Sequence, residues 1–185
     1  MSLRDRMIGV IYRAATGSRK VRNILTPAGV TFFFCLVLSF VLISLRVDRS
    51  LGLPPLLPPV PGLLLSIPVL AAGLIMMFWS ILNFLKVRGT PVPFNPPPVV
   101  VKTGPYSCVR NPMLTGVFLL MFGIGLLLRS VSLVLIFTPL FILLNILELK
   151  KIEEPELEKR LGQEYSEYKK RVPMFIPRFR RNRDV

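Results

Sequence analysis

Four long apolar runs alternate with short polar or proline-rich stretches, and a charged segment of helical period follows the last of them. The first run, 26–47, opens near Pro27, carries Phe32-Phe33-Phe34 and closes at Arg46, Asp48 and Arg49. Crossing a hydrocarbon core takes about 20 apolar residues, so this run is long enough to span a bilayer. The second, 63–85, holds Pro68 near its start and ends at Lys86 and Arg88. Within it Trp79 and Asn83 lie four apart on one helix face, which turns Asn83 inward or toward the interface. The third, 113–128, carries Gly116, Gly123 and Gly125, a small-residue surface on which another helix can pack closely. Arg129 and Ser130 make a very short break, and the fourth run, 131–147, contains Pro139 and ends at Glu148. Runs three and four therefore read as a tight hairpin. A single helix through both would place Arg129 near its centre, at a cost on the order of several kcal/mol. The pattern predicts an all-α integral membrane protein of about four transmembrane helices.

After Glu148 the apolar residues thin to one stripe: Leu157, Leu161, Tyr165, Tyr168 and Val172 recur at helical spacing. Pro155 is placed to open this helix, with Glu153 and Glu154 near its positive end, and Pro173 ends it. The segment reads either as an amphipathic helix lying on the bilayer or as a lid whose tyrosines dock against the loop ahead of the third run. At the other terminus, 1–23 carries Arg4, Arg6, Arg13, Arg19, Lys20 and Arg22 against Asp5 alone. With Leu3, Met7, Ile8, Val10 and Ile11 it reads as an uncleaved cytosolic arm holding a short surface helix. Arg178, Arg180, Arg181 and Arg183 form a basic tail over 178–185 that suits anionic lipid. Two proline-rich links, 53–62 and 89–100, favour stiff extended connections.

Composition agrees with the membrane reading. Of 185 residues 52% are hydrophobic, and the mean hydropathy is +0.58. The net charge of +14 and pI near 10.7 could suggest nucleic acid. The cations instead flank apolar spans, where they set topology and meet anionic headgroups, so no nucleic-acid partner is expected. The chain has no histidine, and its two cysteines, Cys35 and Cys108, fall in an apolar run and a basic loop. That removes the common zinc sets, histidine-based triads and a disulfide framework, and no metal is expected. The arm and the loop with Lys86, Arg88, Lys102 and Arg110 hold most of the loop charge. The positive-inside rule then places arm, loop and C-terminal tail in the cytosol, as in a multi-pass protein of the cell inner membrane.

The stretch 101–116 stands apart: it is polar, basic and turn-forming, and it ends where the third run begins. Gly104-Pro105 marks a turn, and Asn111-Pro112 is a helix-start signal with Asn111 as N-cap. A helix N-terminus beside Arg110 is ready to receive an anionic group. The same residues would also serve as an ordinary basic loop capping a membrane helix.

Taken with the C-terminal segment, this stretch resembles one family. Lys102-x-Gly104-Pro105-Tyr106-x-x-x-Arg110-Asn111-Pro112-Met113, a glycine-bearing hairpin, then Glu153-Glu154-x-x-Leu157 and Tyr165-x-x-Tyr168-x-x-x-Val172-Pro173 look like the integral-membrane methyltransferases. That group includes isoprenylcysteine carboxyl methyltransferase and the phospholipid N-methyltransferases, and 101–177 would be its catalytic region, preceded by two spans and their links over 24–100. The resemblance implies S-adenosylmethionine as methyl donor, held at the cytosolic mouth of the last two spans under the C-terminal helix. Its carboxylate would meet Arg110 and the N–H groups near Pro112 and Met113. Its amino group and sulfonium would meet Glu153, Glu154, Tyr106, Tyr165 and Tyr168. Lys102, Gly104, Pro105, Asn111 and Gly116 complete the cofactor-binding set, and Arg110 and Glu154 are the catalytic candidates, with Glu154 placed to take a proton from an ammonium acceptor. The acceptor would be a hydrophobic molecule entering from the bilayer, an isoprenylcysteine carboxylate or a phospholipid amine, with a small thiol left open beside them. Many members carry histidine where this chain has Asn111 and tyrosine where it has Leu114; asparagine still caps and hydrogen-bonds but does not titrate near neutrality. Two other readings stay open: an NADPH-dependent membrane reductase of steroid-reductase type, whose phosphate Arg110 would suit equally, and a non-catalytic membrane adaptor.

Overall fold

The computed structural model describes residues 3–15, 17, 19–87, 97 and 99–177, and every regular element among them is helical. The basic tail and most of the second proline-rich link lie outside the described residues. Helix α1 (Leu3–Ala15) precedes three long elements, α2 (Arg19–Ser50), α3 (Pro59–Lys86) and α4 (Pro112–Leu127). Then come α5 (Thr138–Glu148), α6 (Glu154–Leu161) and α7 (Gln163–Arg171).

Three helical stretches are long and apolar enough to cross a membrane: Asn23–Ser50, Pro59–Lys86 and Leu133–Leu161. The apolar α4 has 16 residues, about 24 Å at 1.5 Å per residue, and falls short of that length. Four expected spans are thus three by length and composition, with α4 a shorter apolar helix beside them. Helix α2 also starts earlier than the apolar pattern suggests. Its 32 residues reach about 48 Å, so its first turns project beyond a hydrocarbon core of roughly 30 Å, and Pro27 sits inside the helix.

The most extensive helix pair is α3 with α4. A seam of small residues on α3, Gly62, Ser66, Gly73 and Ser80, is buried, and α4 offers Gly116 and Gly123 in return. A Cβ at Gly116 would lie 2.8 Å from the Gly73 carbonyl oxygen, and one at Gly123 2.7 Å from the Leu70 side chain. The expected small-residue face on α4 is therefore spent on α3, with backbones near enough for packing to replace the hydrophobic effect that lipid cannot supply. Phe33 and Phe40 from α2 and Phe118 of α4 each pack edge-on with Phe141 of α5, in a core with Met121 and Leu133.

The break at Arg129 and Ser130 forms as expected. Arg129 takes a left-handed conformation at φ 56°, and Ser130 Oγ accepts the Leu133 N–H at 3.1 Å to start the next helix. Asp48, at the end of α2, locks this turn: it accepts the Ser130 hydroxyl and, at 3.0 Å, the Ser132 N–H. Ser132 in turn donates to the Ser44 carbonyl at 2.8 Å.

Beyond this turn the structure departs from the pattern. The helix continues from the fourth apolar run through Leu161, with wide π-type turns at Leu133–Phe137 and Leu149–Glu153. Each precedes a proline, Pro139 or Pro155, that lacks the N–H an α-turn requires; a five-residue hydrogen bond (Thr138 N–H to Leu133 O, Glu154 N–H to Leu149 O) takes up the slack. Pro155 therefore opens no new helix, and the expected free N-terminus at Glu153 and Glu154 is absent. The single amphipathic helix is instead two, broken at Gly162, whose φ of 60° and ψ of −138° belong to glycine. Helix α1 packs against α6 and the π turn ahead of it, and Lys159 Nζ lies 4.7 Å from the Tyr12 ring centre. Arm, loop 101–111 and lid (α6 and α7) thus gather at one end of the bundle, and the Asp48–Ser130 lock closes the other.

Candidate functional site

The loop and the lid meet through both backbone and side chains. The Arg110 N–H donates to the Pro173 carbonyl at 2.8 Å and the Asn111 N–H to Met174 at 3.2 Å, so the chain after α7 lies alongside the start of α4. Phe175 from this return packs on Phe118 at 5.2 Å between ring centres. Tyr168 donates its hydroxyl to the Tyr106 carbonyl at 2.7 Å, and Lys102 pairs with Glu164 at 2.8 Å on the surface.

At the centre is a buried ion pair. Arg110 Nη1 lies 2.6 Å from Glu154 Oε1, their side chains 10% and 5% exposed. These residues are 44 positions apart, and the π turn before Pro155 is what carries Glu154 over the loop. The other oxygen, Oε2, is 2.8 Å from Lys169 Nζ on α7. Burial raises the pKa of Tyr106, Tyr165 and Tyr168; for Tyr165 the nearby Glu154 adds to burial and Arg110 opposes it. All three phenols are therefore neutral at physiological pH. Burial works against the charge on Lys169, but its bonds to Glu154 and Glu158 outweigh that and raise its pKa.

The remaining expected residues divide. Gly104 (φ 60°) and Pro105 form a short 3₁₀ turn, Gly104–Ser107, that seats the Tyr106 ring 5.0 Å from Phe84. Asn111 stands at the N-cap position with its carbonyl accepting the Thr115 N–H, but its side chain makes no capping bond. Pro112 is buried and Met113 half-buried at the start of α4, roofed by the Met174 return. Glu153 does not join Arg110; it stands near Glu148, Glu156 and Arg160, close enough to Tyr106 and Tyr165 to act on them electrostatically. Gly116 faces α3, and that side of it is filled.

Three supporting residues have roles that their positions in the sequence did not reveal. Asn83 is turned inward as expected, but what it meets is Gly104: a Cβ there would come 2.6 Å from Asn83 Nδ2. Trp79, its neighbour one turn earlier, is half exposed, at the rim of that face. Arg160 pairs with Glu156 at 2.9 Å and donates to the Pro97 carbonyl, a link whose only sequence signal is the i,i+4 spacing. Lys169 had no signal beyond one more cation in a charged run.

Whether the residues fit a zwitterionic, sulfonium-bearing nucleoside can be judged from their unmet groups. Arg110 Nε and Nη1 and Glu154 Oε1 are buried without a hydrogen-bond partner; the Nη1–Oε1 approach is a contact of charges whose angles are not those of a hydrogen bond. Unmet donors and acceptors of opposite charge, side by side among neutral tyrosines, suit a ligand carrying both a carboxylate and an ammonium.

The phospholipid methyltransferase family matches residues 62–164. The chain belongs to that family. The match runs from the start of α3 through the loop, the hairpin and α6, and thus includes both Arg110 and Glu154. It supports a membrane methyltransferase. No curated protein and no solved structure gives a significant match to the chain.

Proposed function

We propose that this protein transfers a methyl group from S-adenosylmethionine to a lipid-like acceptor at the cytosolic face of the membrane. The observation that carries this reading is the buried Arg110–Glu154 pair with its unmet hydrogen-bonding atoms, enclosed by three buried tyrosines. Arg110 offers donors to a carboxylate, Glu154 and Glu153 offer negative charge to an ammonium, and the tyrosine rings offer π faces to a cation. When bound, the cofactor supplies a methyl group on a sulfonium that is already an activated leaving group.

What the protein must add is alignment and exclusion of water, which a lid hydrogen-bonded to its loop performs. Both oxygens of Glu154 are engaged by cations, so it holds the site together rather than receiving a proton. A carboxylate acceptor needs no base, and an amine acceptor can arrive neutral. The family's description favours a phospholipid amine, which would enter sideways from the bilayer. Gathering of the basic arm and loop at the lid end supports a cytosolic placement of that end in a multi-pass inner-membrane protein.

Calorimetry on detergent-solubilised protein tests the reading. Saturable S-adenosylmethionine binding is expected, weakened at least tenfold by Arg110→Ala, a loss of about 1.4 kcal/mol or more. Equal affinity in the two proteins refutes it.

A further inference from the structure

Helix α1 presents apolar side chains on two opposite sides. On one, Ile8 and Tyr12, about 40° apart around the axis, are half-buried. There α1 packs against α6 and the π turn Leu149–Glu153, with Lys159 of α6 over the Tyr12 ring. On the other, Arg6, Val10 and Arg13 fall within about 60° of one another, with Met7 beside them. All four are exposed, Met7 at 42% and Val10 at 55%. The depth of α1 in the bilayer follows from the turn it touches. A hydrocarbon core takes about 20 residues to cross; counted from Leu133, beside the Asp48 lock, it ends within that π turn, where Lys150 and Lys151 are exposed. Helix α1 therefore stands at headgroup depth.

We infer that the open face of α1 docks on an anionic phospholipid surface, and that this contact braces the lid by holding α1 against α6 and the turn ahead of Glu154. Charge selects the partner. Val10 and Met7 enter the acyl boundary of any bilayer, but Arg6 and Arg13 gain only where the headgroups carry net negative charge. With 13 residues, α1 is near the lower limit at which a helix persists in water without support. Lipid that orders its outer face therefore also orders the inner face, which meets the lid. The inference does not depend on the cofactor reading, because Arg6 and Arg13 respond to the bilayer whether or not a nucleoside is bound.

Amide hydrogen exchange on the full chain in lipid nanodiscs tests this. The amides of 3–15 should exchange at least about fivefold more slowly in discs holding about one-third phosphatidylglycerol than in phosphatidylcholine alone, and those of α6 should slow with them. Arg6→Gln combined with Arg13→Gln should remove most of both differences, as should high salt, which screens exposed charge. Tyr12→Ala separates the two parts: 3–15 still responds to the anionic lipid and α6 no longer does. Lys159→Ala replaces it should that variant not fold. Equal exchange in the two kinds of disc, or a lipid response that survives the paired arginine substitution, overturns the docking face. Slowing confined to 3–15 in the unaltered protein, or an α6 response kept in Tyr12→Ala, overturns the brace.

Discussion

Arg110 and Glu154 are the residues on which loop and lid depend most. Removing one member of a buried ion pair costs about 3–5 kcal/mol, because the other is left without a counter-charge. Arg110→Ala still leaves Glu154 with Lys169, whereas Glu154→Ala strands Arg110, so the second should lower the melting temperature more. The double variant should cost less than the sum of the two, as expected for groups in contact. Gly116→Val is predicted to destabilise by about 1–3 kcal/mol through overpacking, since its side chain would be driven into the Gly73 backbone. At this scale the chain was partly legible. Arg110, Glu154, Tyr106, Tyr165 and Tyr168 stand together as the motif implied. Lys169 and Asn83 were not readable, because one charge in a charged run and one asparagine in an apolar run carry no record of what lies across the fold.

At the scale of the element, the two π turns and the break at Gly162 shape the lid. Periodicity gave the buried tyrosine stripe correctly and its helix wrongly: an apolar repeat survives both a widened turn and a glycine break, so the repeat cannot reveal either. Gly162→Ala meets no neighbour within 4 Å, so its cost is backbone strain alone, about 1–3 kcal/mol. That cost should appear as faster amide exchange confined to 163–171. The lid should also open at alkaline pH. Lys169 has a raised folded pKa, so its contribution is complete below its unfolded value of 10.5 and is lost as pH rises through the folded one. The buried phenols act in the same direction: the unfolded chain ionises near 10.0 while the fold resists, so stability falls above that pH. Melting temperature should drop above roughly pH 10, with the tyrosinate absorbance of the buried rings appearing late and together. Early, separate titration of these rings would contradict the closed lid.

Across the whole molecule, the apolar runs located the helices, and the arm and loop that the charges grouped stand with the lid at one end of the bundle, while the basic tail grouped with them lies outside the described residues. The Asp48 lock at the other end was invisible, since an aspartate closing a span reads like any boundary charge. By length and composition three helices suffice to cross a bilayer, and α4 is a shorter apolar helix packed along α3. Cys108 is exposed on the loop and Cys35 on the face of α2 within its apolar span. In sealed inside-out vesicles an impermeant maleimide should label Cys108 and spare Cys35; in right-side-out vesicles it should label neither.

Methyl transfer itself gives the most direct test. Membranes containing the protein, supplied with S-adenosylmethionine labelled in its methyl group, should place the label in the extractable lipid fraction. Arg110→Ala and Glu154→Ala, present at equal levels, should abolish that signal. Label confined to protein or to volatile product, or lipid labelling that persists in both variants, would contradict a lipid methyltransferase built on this pair.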